Sequence, residues 1–154
     1  MTALIDTSVL IGWENDRFDS AAMPDSVAVS VVTVAELRLG VLTATTLEAK
    51  ARRMATLRLA ESLEPLPVDD RVADAWAVLV AGLRAAGRRA PVNDSWIAAT
   101  AIARGMPVAT QDDDYEGMPG LDVIRLLRRE MPISFIRGWA RVCGAVRHRY
   151  EHRA

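Results

Sequence analysis

Short unbroken apolar runs alternate along the chain with longer stretches in which apolar residues recur every three or four positions. Thr2–Ile5 reads as a buried strand, and Val9, Leu10, Ile11 and Trp13 then suit a helix over residues 7–13, with Thr7 and Ser8 placed to cap it. Residues 27–30 form a second predicted strand, after the turn-forming Pro24, Asp25 and Ser26. Helices follow over residues 33–42 and from a cap at Thr45 and Thr46 to about Ser62. Residues 64–68 read as a short strand or edge segment, weakened by Pro65 and Pro67. Asp69 caps a long helix carrying Val72, Ala75, Trp76, Leu79, Val80 and Leu83, which stops near Gly87. Asn93 or Asp94 caps the next, with Trp96, Ile97, Ala99, Thr100 and Ala103 ahead of Gly105. Residues 107–110 and 121–126 complete the strands. Strands separated by helices need crossover connections, which predicts an α/β fold with a short parallel sheet covered on both faces.

Composition narrows the setting. With 154 residues, 51% hydrophobic and 25% charged, the chain can bury a core as one ordinary domain. Cys143 is the sole cysteine, so neither a disulfide framework nor a Cys/His zinc set is available, and a reducing cytoplasm fits. The N-terminus reads as a first strand, lacking the basic lead and apolar length of a targeting peptide. The longest apolar run, residues 75–83, falls short of the ~20 helical residues that cross a bilayer, so no membrane role is expected.

Charge divides the chain. Residues 128–154 hold seven arginines against two glutamates, a net +5, which leaves −6 for residues 1–127 of the total −1. Within 131–154, Ile136, Trp139, Cys143, Val146 and Tyr150 make one apolar stripe with Arg137, Arg141 and Arg147 elsewhere. The tail therefore reads as a basic amphipathic extension, a helix packed on the domain or on a neighbouring subunit, with RNA contact as the alternative. An acidic body is awkward for a simple nucleic-acid binder, unless a bound divalent cation offsets it.

The acidic positions themselves are unusual. Asp6 directly follows the first strand, Asp112 and Asp114 follow the 107–110 strand, Asp94 opens a helix, and Glu36 lies one turn into another. In open parallel sheets, ligands bind beyond the carboxyl ends of the strands, which is where these side chains would meet. Carboxylates gathered in one pocket repel and raise one another's pKa unless a cation is present. Hard oxygen donors without His or Cys select Mg²⁺ or Mn²⁺. Thr7, Ser8 and Thr110 stand beside these acids and would orient them from behind, although each could simply cap or bond backbone. The bland alternatives are an N-cap role for Asp94, an ion pair of Glu36 with Arg38, and a polar loop at Asp112–Asp113–Asp114.

The segments LIDTSVLI, VVTVAEL, VNDSWIAATAIARG and VATQDDDY followed by GLDVIRL resemble, in order and spacing, a PIN-domain ribonuclease, and more narrowly a VapC-type toxin of a bacterial toxin–antitoxin pair. The likeness spans about residues 2–127, and nothing is carried over to the tail. It implies an α/β/α sandwich and a Mg²⁺- or Mn²⁺-dependent endoribonuclease. Asp6, Glu36, Asp94 and Asp112 would match the family's acidic quartet, with Asp114 as an additional or substitute member. Asp6, Asp94 and Asp112 would be metal ligands. The resemblance further implies an RNA substrate, tRNA being one candidate, a homodimer, and a cognate antitoxin that neutralises the toxin.

The chemistry expected of such a site is in-line attack of water on phosphorus, with Glu36 or Asp112 accepting the water's proton. Both histidines, His148 and His152, fall in the tail, which disfavours a histidine ribonuclease. Two rival readings remain. A phosphoacceptor receiver domain wants a lysine after a late strand, and the sole lysine, Lys50, sits in a polar helix mid-chain. An inert PIN-like binding module would tolerate a broken acidic set, whereas here the set is complete.

Overall fold

In the computed structural model, residues 1–15 and 23–127 are described. Four strands, β1 (Thr2–Ile5), β2 (Ser26–Ala28), β3 (Val108–Thr110) and β4 (Val123–Arg125), form a sheet in the order β2-β1-β3-β4. Every pairing is parallel, with Leu4 opposite Ala28 on one side and opposite Val108 on the other. Among the described residues, five α-helices surround it: α1 (Thr7–Glu14), α2 (Val31–Leu42), α3 (Leu47–Ser62), α4 (Asp70–Ala85) and α5 (Val92–Arg104).

The period of two along the strands divides the core. Ala3, Ile5 and Ala109 point to one face, where they meet Val9, Leu10, Val34, Leu37 and Leu57 of α1, α2 and α3. Leu4 and Val108 point to the other, against Leu79, Leu83, Ile97, Ala98 and Ala101 of α4 and α5. The result is the α/β/α sandwich. Because β1 connects outward to β2 on one side while β3 sits on the other, the strand order reverses between β1 and β3. That reversal opens a crevice at their carboxyl ends, and Asp6 and Asp112 both lie at it.

Several predicted boundaries move for local reasons. Asp6, not Thr7 or Ser8, is the residue that caps α1. Ser30, expected to end the second strand, caps α2 instead, its Oγ accepting from the Thr33 amide at 3.0 Å, so the helix begins at Val31. The 64–68 edge segment reduces to one bridge between Ser30 and Leu66, as its two prolines, which cannot donate, suggest. Helix α5 starts at Val92 with Pro91 before it, and neither Asn93 nor Asp94 caps it; both sit inside its first turn. Its far end is as read, since Gly105 takes φ +62, a conformation that suits glycine. The helical tail predicted over residues 131–154 lies outside the described residues. Among those described, no helix is long and apolar enough to cross a membrane.

Candidate active site

Asp6 directly follows β1, is 3% exposed, and is held from every side. Its Oδ1 accepts from the Thr7 amide at 2.6 Å and from the Tyr115 hydroxyl at 3.0 Å. Its Oδ2 accepts from the Ser8 hydroxyl at 2.8 Å, the Thr110 hydroxyl at 3.0 Å and, at 3.4 Å, the Ser8 amide. Sequence proximity supplies Thr7 and Ser8; β1–β3 pairing supplies Thr110. Thr110 Oγ1 in turn accepts from the Asp112 amide at 3.0 Å, which ties the loop after β3 to the end of β1.

Glu36 emerges from α2 toward the same crevice. Its Oε2 accepts from the Thr7 hydroxyl, and its Oε1 accepts from the Asn93 side-chain amide at 2.8 Å. Arg38, which the sequence offered as a partner, pairs with Glu61 at 2.7 Å instead. Asp94 stands next to Asn93 in the first turn of α5, half-buried, with no hydrogen-bond donor among the described residues. Burial and then the negative charges of Asp6, Asp114, Glu36 and Asp112 push its carboxyl up to about 7. Five acids from four separate segments thus share one electrostatic pocket.

The three consecutive aspartates have different surroundings. Asp113 pairs with Arg125 of β4 and faces outward, so it is the loop member. Asp112 and Asp114 both act on Asp94. A 3-10 turn over Asp113–Tyr115 swings the Tyr115 ring into the core at 0% exposure. Burial, followed by the charge of Asp6, drives the Tyr115 phenol well above its ordinary value, so it remains a donor to Asp6.

The PIN domain family matches residues 3–121. Ribonuclease VapC4 of Mycobacterium tuberculosis is 56% identical over 129 residues, covering 80% of this chain and 96% of that protein. Ribonuclease VapC5 of the same organism is 48% identical over 126 residues, covering 81% and 93%. Among solved structures, VapBC-5 of M. tuberculosis, a member of the VapBC family of toxin–antitoxin systems, superposes with a TM-score of 0.73 at 47% identity over 80% of this chain and 98% of that one. The chain belongs to the PIN-domain family, in its VapC branch.

Two residues of this VapC site escaped the sequence reading. Tyr115 reads locally as a core aromatic, and nothing in its neighbourhood announces a bond to a residue 109 positions earlier. Asn93 reads as a helix cap after Pro91, whereas one further turn position sends its amide across to Glu36. Behind Tyr115, Arg88 donates to the carbonyls of Glu116 at 2.6 Å and Gly117 at 2.7 Å, fixing the loop that carries it. Gly117 is needed there: its φ is +65, and an added Cβ would come within 3.0 Å of Arg88 Nη1.

The donor chemistry of the VapC pocket fits a hard divalent cation, since it is all carboxylate and repels itself. Its side chains are not closed into a ligand set as they stand: among the described residues, no three acidic, His or Cys groups are arranged to hold a metal. Asp6 in particular would release a hydroxyl donor on ligating, and the neighbouring Ser8 and Thr110 hydroxyls, 3.4 Å apart, offer each other a bond.

Proposed function

We propose that this VapC protein is an endoribonuclease dependent on Mg²⁺ or Mn²⁺ whose site is formed by Asp6, Glu36, Asp94 and Asp112, with Asp114 as an additional or substitute member. The observation that carries the reading is Asp94: a half-buried carboxylate without a donor among the described residues, raised to about 7 by burial and by four neighbouring acids, is a group that a cation would relieve. Asp6, Asp94 and Asp112 would hold the ion. When bound, it would offset charge on the phosphoryl oxygens and make water a stronger nucleophile. Ser8, Thr110 and Tyr115 hold Asp6 in one orientation, and Thr7 with Asn93 does the same for Glu36.

The chain's own part of the reaction is proton handling and alignment. Glu36, fixed at both carboxylate oxygens beside the pocket, would accept the proton of the attacking water, with Asp112 as the other candidate. A bond forms from water oxygen to phosphorus, and the bond from phosphorus to O3′ breaks. O3′ takes up a proton, leaving a 3′-hydroxyl and a 5′-phosphate. RNA is the substrate class favoured by the names of the VapC4 and VapC5 relatives, with structured RNA such as tRNA a candidate.

The protein acts, in this reading, as a toxin that slows growth until a cognate antitoxin covers it; the support is its likeness to VapBC-5, a member of the VapBC family of toxin–antitoxin systems. A homodimer in the cytoplasm completes the proposal. Purified protein incubated with total RNA, with and without Mg²⁺ or Mn²⁺, tests it: fragments with 5′-phosphate ends should appear only with metal. Fragments ending in 2′,3′-cyclic phosphate, or cleavage unaffected by EDTA, would refute it.

A further inference from the structure

Among the acids of the pocket, Asp114 is placed by its backbone alone. Its carboxylate is exposed and has no hydrogen bond or ion pair among the described residues. Yet after Asp6 it is the acid that most repels Asp94, ahead of Glu36 and Asp112. Like charges drive such a residue outward, and the loop around it holds only the 3-10 turn Asp113–Tyr115. Three attachments keep that loop in place. At its near end Arg125 Nη1 donates to the Asp112 carbonyl at 2.7 Å, and the same guanidinium pairs with Asp113. In the middle Tyr115 is buried with its hydroxyl on Asp6. At the far end stands Arg88, whose Nη2 and Nη1 donate to the consecutive carbonyls of Glu116 and Gly117.

The backbone of Arg88 is itself fixed. Gly87, at φ +69, closes α4 with its amide on the Arg84 carbonyl at 3.0 Å, and the Arg88 amide follows on the Leu83 carbonyl at 2.8 Å. That paired closure sets the direction in which the arginine leaves the helix end. Arg88 also lies in the connection that leads to Asn93 and Asp94. Its side chain therefore joins the segment entering Asp94 to the segment carrying Asp114. We propose that Arg88 is a positioning residue of the acidic pocket, whose bonds to the Glu116 and Gly117 carbonyls hold Asp114 in the space that the cation enters. The proposal rests on the metal-dependent reading of that pocket. A guanidinium suits the task, since its planar fork reaches two neighbouring carbonyls at once, where a lysine ammonium is a single point of charge.

The test is calorimetric titration of the full chain with Mn²⁺ in the absence of RNA, where the sign of the change decides. Arg88→Gln removes a positive charge, which by Coulomb attraction alone would tighten cation binding. If Arg88 holds Asp114 in place, binding should instead weaken, on the order of tenfold. Arg88→Lys keeps the charge and loses the fork, so it should weaken binding as well, by less. In cleavage, Arg88→Gln should lower kcat at limiting Mn²⁺, spare KM for RNA, and recover as Mn²⁺ is raised, which a misfolded variant would not. Amide hydrogen exchange in EDTA follows the loop directly: protection should fall at Glu116 and Met118, whose amides bond within it, and hold in α4 and α5. Mn²⁺ binding that is unchanged or tighter in Arg88→Gln would overturn the proposal and leave the reading of the pocket intact. Protection lost throughout α4 and α5 would also overturn it, because Arg88 would then serve the fold and not the pocket. A wild-type protein that binds no Mn²⁺ would overturn both.

Discussion

Asp6 and Asp94 face one crevice from the end of β1 and the first turn of α5, under opposite conditions. Asp6 is 3% exposed and accepts from two amides and three hydroxyls. Asp94 is half-buried, accepts from no donor among the described residues, and carries the repulsion of its neighbours. A buried charge surrounded by donors is already compensated by the protein, and removing it leaves those donors unpaired. Asp94, with like charges around it and only the N-terminal end of α5 in its favour among the described residues, is far less compensated, so it is available to something from outside. The contrast separates the residue that organises the pocket from the residue that makes it need a cation.

The largest expected effects come from neutralising each in turn. Asp94→Asn should lower metal-supported RNA cleavage on the order of a hundredfold or more while leaving thermal stability equal or higher, because repulsion is removed and no hydrogen bond is lost. Asp6→Asn should abolish cleavage and also cost ~1–3 kcal/mol in urea denaturation, since an amide would point a donor at donors. Equal destabilisation by the two substitutions would erase the distinction.

A smaller effect lies in the pH dependence of the metal-free protein. The Asp94 carboxyl rises from its ordinary 3.8 to about 7 on folding, so between these values the folded state binds more protons than the unfolded one. Its contribution to stability is therefore fully present below about pH 4 and is lost as pH rises through 7. Urea midpoints in EDTA should fall across that window in the wild type and flatten in Asp94→Asn. At neutral pH, Mg²⁺ or Mn²⁺ should raise the wild-type Tm and leave that of Asp94→Asn in place. A wild-type curve that climbs toward pH 7 and levels off in Asp94→Asn would reverse the assigned sign.

The smallest effect belongs to Tyr115→Phe. It removes one donor from Asp6 while the other four remain, so it should cost about 1 kcal/mol of stability and reduce cleavage only modestly. Loss of cleavage as complete as in Asp6→Asn would mean that the hydroxyl touches the reacting groups directly.

Much of this was legible from residue order. The strands could be read because buried parallel strands are short apolar runs, and the acids because each follows, opens or lies one turn into a predicted element. Helix starts were less legible. Ser30, Asn93 and Asp94 are all short polar residues able to cap, and only the path of the backbone decides that Ser30 does and the other two do not. The cross-chain bonds were not legible at all. Thr7 to Glu36, Asn93 to Glu36 and Tyr115 to Asp6 join residues whose separation, 29 to 109 positions, leaves no periodic trace.

The sheet order has a consequence for how the protein comes into being. β1 is made first, yet its central neighbour β3 begins at Val108, and Asp6 acquires Thr110 and Tyr115 from beyond that point. Closing so long a loop is slow compared with local helix formation. A nascent chain leaving the ribosome thus carries Asp6 for most of its synthesis without two of the three hydroxyls that hold it. The pocket assembles only near the end, after translation of the domain is all but complete.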